Sequence, residues 1–313
     1  MRSVGSWLDR NLFRLAVASL VVNVLIVVSG GVVRLTGSGL GCPTWPRCTE
    51  ESFTPHGAYD IHAAIEFGNR LVTFLIAAVA VAMFVAAWRS GRTTIRRLAL
   101  VLALGVPAQA VLGGITVLTD LNPWTVALHL MVSMAMISVA VVLVQRVREP
   151  DGAAVPAVPQ SIGWLVRLLF VVGWVVLYLG TVVTGSGPHA GDADAPRNGL
   201  DPRAVSQLHV DFVFLLLGLT VAVVLVFRAV DVPPRSRDAA NTLLLVLLGQ
   251  GAIGFVQYFT GLPIVLVTLH LLGAALTAAA MTWLLLGTRQ RVAVPEVETV
   301  VEDSSLTTTT THP

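Results

Sequence analysis

Three histidines stand inside apolar stretches: His129 in TVALHLMVSM, His209 in SQLHVDFVFL and His270 in LVTLHLLGAA. Imidazole is costly in hydrocarbon unless something binds it, so histidines on separate apolar segments point to a metal, haem or proton site. A second group reads His62-Ala-Ala-Ile-Glu66-Phe-Gly-Asn69-Arg70. Spacing of four puts His62, Glu66 and Arg70 on one helical face. There the Glu66 carboxylate can move a proton or stabilise a developing cation, or it can simply pair with Arg70. Arg34 and Arg70, near a membrane boundary, suit the acid groups of a haem, or ordinary snorkelling. The two cysteines, Cys42 and Cys48, enclose Pro-Thr-Trp-Pro-Arg. So short a loop closes readily as a disulfide, either a plain staple or a reversible thiol pair. A metal site there lacks ligands.

The segments carrying these residues dictate a membrane protein. Of 313 residues, 55% are hydrophobic and 12% charged, and mean hydropathy is +0.80. A spanning helix needs about 20 mostly apolar residues. Such windows fall at 12–33, 64–88, 97–118, 124–145, 163–184, 207–230, 239–260 and 263–287. The expected fold is an all-α integral membrane protein with eight transmembrane helices. All 20 basic residues are arginines, and those at 2–14, 89–97, 146–167, 228–237 and 289–291 fall on one set of loops. Those loops and both termini are expected to be cytoplasmic. The basic pI of about 8.8 thus reports topology and gives no reason to invoke nucleic acid. The first apolar run is too long for a signal peptide and lacks a convincing cleavage site, so it reads as a retained helix. The stretch ending SSLTTTTTHP reads as a disordered tail.

An internal repeat organises the chain. Gln109, Gly113 and His129 recur as Gln250, Gly254 and His270, each pair 141 residues apart, and Thr36-Gly-Ser-Gly39 recurs as Thr184-Gly-Ser-Gly187. Two pseudo-symmetric four-helix bundles in the same orientation account for both. The expected units are 1–150, 151–290 and a tail at 291–313. At about 1.5 Å per residue, all three membrane histidines lie near the outer surface. His209 and His270 can face each other across one bundle as axial ligands of a haem iron. The partner of His129 departs from symmetry: counting back the His209–His270 spacing lands on Gly68, beside Asn69, a poor haem ligand, with His62 two turns further out.

These motifs carry a resemblance. GGVVRLTGSGLGCPTWPRC, IEFGNR, TGSGPHAGD and the histidines of the fourth, sixth and eighth segments resemble the haem A synthase family in its actinobacterial form, over residues 12–287. The resemblance implies oxidation of the C8 methyl of haem O to the formyl group of haem A, for cytochrome oxidase. It implies haem b as a cofactor on His209 and His270. It also implies a substrate haem on His129, with Glu66 as the essential carboxylate and His62, Asn69, Arg70 and Arg34 around it. Many relatives have a histidine at the place of Asn69. Many also have a second cysteine pair after the fifth segment, where this chain has His189. Stepwise oxidation takes electrons through haem b and oxygen from dioxygen or water; a farnesyltransferase that makes haem O is a possible partner, and the electron donor is not legible. The competing readings are a di-haem electron carrier and, more remotely, a transporter.

Overall fold

The computed structural model describes residues 11–55 and 61–292. Among them are eight helices long and apolar enough to cross a membrane. They are α1 (Leu12–Leu35), α2 (Ile61–Arg89), α3 (Thr93–Leu118), α4 (Pro123–Arg148), α5 (Gln160–Ser186), α6 (Pro202–Ala229), α7 (Pro234–Phe259) and α8 (Ile264–Gly287). The all-α membrane architecture expected from composition is present. Several helices begin before their apolar windows, because polar first turns are invisible to hydropathy. Asn122 accepts from Trp124 N at 3.0 Å ahead of Pro123. Asp201 likewise accepts from Arg203 N at 2.9 Å ahead of Pro202. An Asn or Asp cap followed by proline satisfies a free N–H and presets φ, a contribution of about 1 kcal/mol per helix. These caps fix the starts of the helices that carry His129 and His209.

Two rings of helices result. α1, α2, α3 and α4 touch in sequence and close through α1–α4, and α5 to α8 close in the same way through α5–α8. The rings join through α1–α8, α4–α5 and α4–α8. That pattern maps onto itself when the two halves are exchanged, with α4–α8 on the pseudo-two-fold axis. The repeat extends to the backbone of the tight turns. Leu121 N donates to Thr116 O at 2.8 Å, and 141 residues later Leu262 N donates to Gln257 O at 2.8 Å. Asp120 and Leu121 (φ 51° and 57°) match Gly261 and Leu262 (φ 76° and 61°). Left-handed leucine is uncommon, so its recurrence marks a turn specified by its surroundings.

One face of the molecule carries the Cys42–Cys48 loop, the 187–201 loop and these turns; the opposite face carries the arginine-rich connections. On the arginine face Glu149 gathers Arg146 (3.2 Å), Arg235 (3.3 Å) and Arg291 (3.8 Å). There Ala154–Pro156 (β1) pairs antiparallel with Arg289–Arg291 (β2). Three-residue strands carry too little pattern to be read from sequence. Arg291, expected at the head of the tail, is therefore part of β2, and the tail from 293 onward lies outside the described residues.

Packing differs between the two faces. On α6 the buried residues are Leu216, Thr220, Val223, Val224 and Phe227, and on α7 the last is Leu247. On α8 they begin at Gly273, and on α4 none lies between Ala127 and Met134. On these four helices the buried residues thus leave off around His129, His209 and His270, whereas α1 keeps Val27 and Val33, and α5 keeps Val176, Leu177 and Val182, buried. Natural interiors are close-packed, so this repeated thinning of the packing around the histidines leaves room for something other than side chains.

Candidate functional site

Each membrane histidine is half-buried, and its Nδ1 is fully covered with no hydrogen-bond partner. A buried unsatisfied ring nitrogen costs about 1–3 kcal/mol. With Nδ1 covered by protein, each ring offers Nε2 as the nitrogen that a ligand can reach. Each lies against a glycine of the neighbouring helix: a Cβ on Gly113, Gly254 or Gly180 would stand 3.5, 3.3 or 3.3 Å from the Cε1 of His129, His270 or His209. Glutamine supports the backbone behind two of them, with Gln109 Nε2 donating to His129 O at 3.3 Å and Gln250 Nε2 to His270 O at 3.0 Å. The Gln, Gly and His registers seen in the sequence therefore form one contact set, built twice.

His209 and His270 occupy α6 and α8, which are diagonal in their ring and make no direct packing contact of the kind seen between neighbours. Counted from the starts of their helices, both lie about 10 Å deep. No three His, Cys, Asp or Glu side chains among the described residues converge to hold a bare ion. A haem brings its own four equatorial nitrogens and asks the protein only for axial ligands. The donor set, the reachable Nε2 of each ring and the thinned packing fit that group.

The amino-terminal bundle is furnished differently. His129 stands on α4, and on α2, diagonal to it in the ring, is Asn69, whose Oδ1 accepts from Ser29 Oγ of α1 at 2.7 Å. His62, two turns further out, holds Ser38 Oγ through Nδ1 at 3.0 Å. Over this bundle lies the loop closed by the Cys42–Cys48 disulfide, Cα to Cα 4.4 Å. Trp45 lies so close to α3 that a Cβ on Gly114 would come within 2.4 Å of its ring.

Glu66 is buried and fastens this loop. Its Oε2 accepts from Cys42 N at 2.7 Å, and its Oε1 takes both Arg70 Nη2 (2.6 Å) and Arg70 Nε (3.1 Å). Arg70 also donates to the carbonyls of Cys42, Thr44 and Arg47. The Glu66–Arg70 pair expected from spacing is formed, and the loop closes over it. Sequence reasoning missed the Cys42 amide, because contacts between residues 24 apart across a loop leave no periodic signal. Arg34, read as a candidate for acid groups, is committed elsewhere: Nε donates to His189 O at 2.8 Å and Nη2 to Thr184 O at 3.1 Å. His189 Nε2 in turn meets Leu262 O at 3.0 Å. These two residues join the halves and stand apart from the cluster around Glu66.

Residues 13–197 match the COX15-CtaA family of cytochrome oxidase assembly proteins. Heme A synthase of Symbiobacterium thermophilum is 32% identical over 225 residues, covering 68% of this chain and 72% of that protein. The chain belongs to the haem A synthase family. Heme A synthase of Bacillus cereus matches at 22% over 91% of this chain and 96% of its own length. That of Halalkalibacterium halodurans matches at 27% over 78% and 83%. That family implies the involvement of haem.

Proposed function

We propose that this chain is a haem A synthase, oxidising the C8 methyl of haem O to the formyl group of haem A for cytochrome oxidase. The supporting observation is an asymmetry laid on a symmetry. Both halves offer an imidazole backed by glutamine and glycine, but among the described residues only the amino-terminal half carries a buried carboxylate under a loop. A di-haem electron carrier has no use for that difference.

In this reading His209 and His270 hold haem b in the carboxy-terminal bundle, and His129 takes the substrate haem in the other. Haem b, when bound, supplies one-electron transfer. Glu66 stands beside the reacting methyl. Its Oε1 carries both Arg70 donors while Oε2 carries one amide, so Oε2 keeps an acceptor site open. There it stabilises positive charge developing on the methyl carbon and receives the proton that leaves. Trp45 and the disulfide loop shield that exchange from water, and the apolar walls accept the farnesyl tail. The arginine face is cytoplasmic, with both termini on that side of the cell membrane, supported by the arginine bias.

The test is expression in a host that makes haem O and no haem A, followed by extraction of the haems. Haem A or its hydroxylated intermediate is expected from the native chain. Glu66→Gln lowers conversion about 100-fold, the scale of a lost acid–base group, while haem b content is kept. Full conversion by that variant sinks the role of Glu66, and haem b alone from the native chain sinks the synthase reading.

A further inference from the structure

The internal repeat makes the two haem positions directly comparable, and the comparison exposes a vacancy in the ligand set of one. The carboxy-terminal bundle presents two imidazoles where its packing thins, His209 from α6 and His270 from α8, each pressed on a glycine of the adjacent helix. The amino-terminal bundle presents one, His129 from α4. At the α2 position, Asn69 lies beside Gly30 of α1, its Nδ2 4.0 Å from where a Cβ would stand. Its Oδ1 is held by Ser29 Oγ at 2.7 Å. A neutral amide oxygen is a weak ligand for iron beside an imidazole, and amide nitrogen has no lone pair to give a metal. Asn69 is not a ligand.

Nor does His62 take that place. Counted from the starts of their helices, His129 and Asn69 lie about 9 and 12 Å deep, whereas His62 lies about 1.5 Å deep. Its Nδ1 meets Ser38 Oγ at 3.0 Å, and its backbone carbonyl lies against Gly41. The ring is built into the loop, further out than His129. At the level of His129 there is no buried side chain on α2 between Glu66 and Ile76, or on α3 between Val106 and Gly114.

We propose that the amino-terminal bundle holds its haem through His129 alone, and that the opposite face, beneath the Ser29–Asn69 pair, is an open site for a small neutral diatomic ligand of the dioxygen class. This rests on the haem-binding reading above. Ser29 fixes the Oδ1 of Asn69, which leaves the Nδ2 beside Gly30 as the amide's hydrogen-bond donor at that face. His129 and Asn69 thus make a site that takes and releases a ligand, whereas His209 and His270 make a closed one.

The experiment reads coordination, not turnover. The purified full chain is loaded with ferric haem and examined by electron paramagnetic resonance, then reduced and titrated with carbon monoxide. We expect one low-spin haem that ignores carbon monoxide and one high-spin haem that binds it, one molecule per chain. Asn69→His converts the second haem to low spin and abolishes carbon monoxide binding, His129→Ala removes it, and His62→Ala leaves its spin state unchanged. Two low-spin haems in the native chain, or a low-spin haem that becomes high-spin in His62→Ala, overturn the proposal. A chain that binds carbon monoxide as described but never converts haem O keeps this inference and loses the synthase reading. A chain that converts haem O with both haems low-spin does the reverse.

Discussion

Glu66 is tied at both oxygens, and the ties differ in kind: an ion pair one helical turn away and a backbone amide across a loop. Removing Arg70 therefore does two things, uncovering a buried carboxylate and releasing three loop carbonyls. Arg70→Gln should cut haem O conversion at least about 10-fold and lower thermal stability by about 3 kcal/mol, the cost of leaving a buried charge unpaired. Haem extraction and a detergent-phase melt measure the two effects. Cys42→Ser with Cys48→Ser frees a loop of about seven residues, a cost near 2 kcal/mol by chain entropy. Conversion should fall because Cys42 N no longer meets Glu66; unaltered conversion with a lowered melting point reduces the bridge to a staple. The ion pair was legible because i and i+4 meet on any helix. Asn69 was legible only as an irregularity, and its bond to Ser29 required knowing which faces of α1 and α2 meet.

Helices α3 and α7 serve the histidines of α4 and α8 through one glycine each. A side chain larger than a methyl at those glycines has only the imidazole to displace. Gly254→Leu should therefore lose the low-spin haem and keep the carbon monoxide-reactive one, with Gly113→Leu giving the opposite result in pyridine haemochrome and spectral titrations. Retention of both haems in either variant means the rings do not need that contact. This pairing was readable in advance, because an exact 141-residue offset survives only where two copies use the same contacts. The connections were not readable. Asp151, in the loop after α4, pairs with Arg92 at 2.8 Å, which holds its carboxyl below the usual aspartate range. A depressed folded pKa gives stability that is complete above the unfolded value, about 3.9, and lost as pH falls through the folded one. Asp151→Asn should melt slightly below the native chain at neutral pH, with the difference closing under acid conditions.

Across the whole molecule the two rings are joined in the membrane by α1–α8, α4–α5 and α4–α8. On the disulfide face they are joined by Arg34, whose bonds to Thr184 and His189 cross from α1 to the end of α5. The apolar core runs through the seam, with Val27, Met134 and Ile137 in one cluster with residues of α5 to α8. Arg34→Leu strands two carbonyls and should increase proteolytic cutting within 187–201 without dissociating the halves; unchanged cutting shows that the clasp does not restrain that loop. Hydropathy and the repeat foretold two bundles but not which helices would form the seam, since every lipid-facing and helix-facing surface here is apolar. The axis through α4 and α8 has a further meaning. Each half gives the other the faces it receives, which is the rule for a homodimer closed by a two-fold. A four-helix chain bearing these faces would be a complete pairing partner for its own copy, so the eight-helix protein is a dimer written as one polypeptide. Only that single covalent thread lets its two members carry asparagine in one and histidine in the other, because two identical chains cannot differ at Asn69.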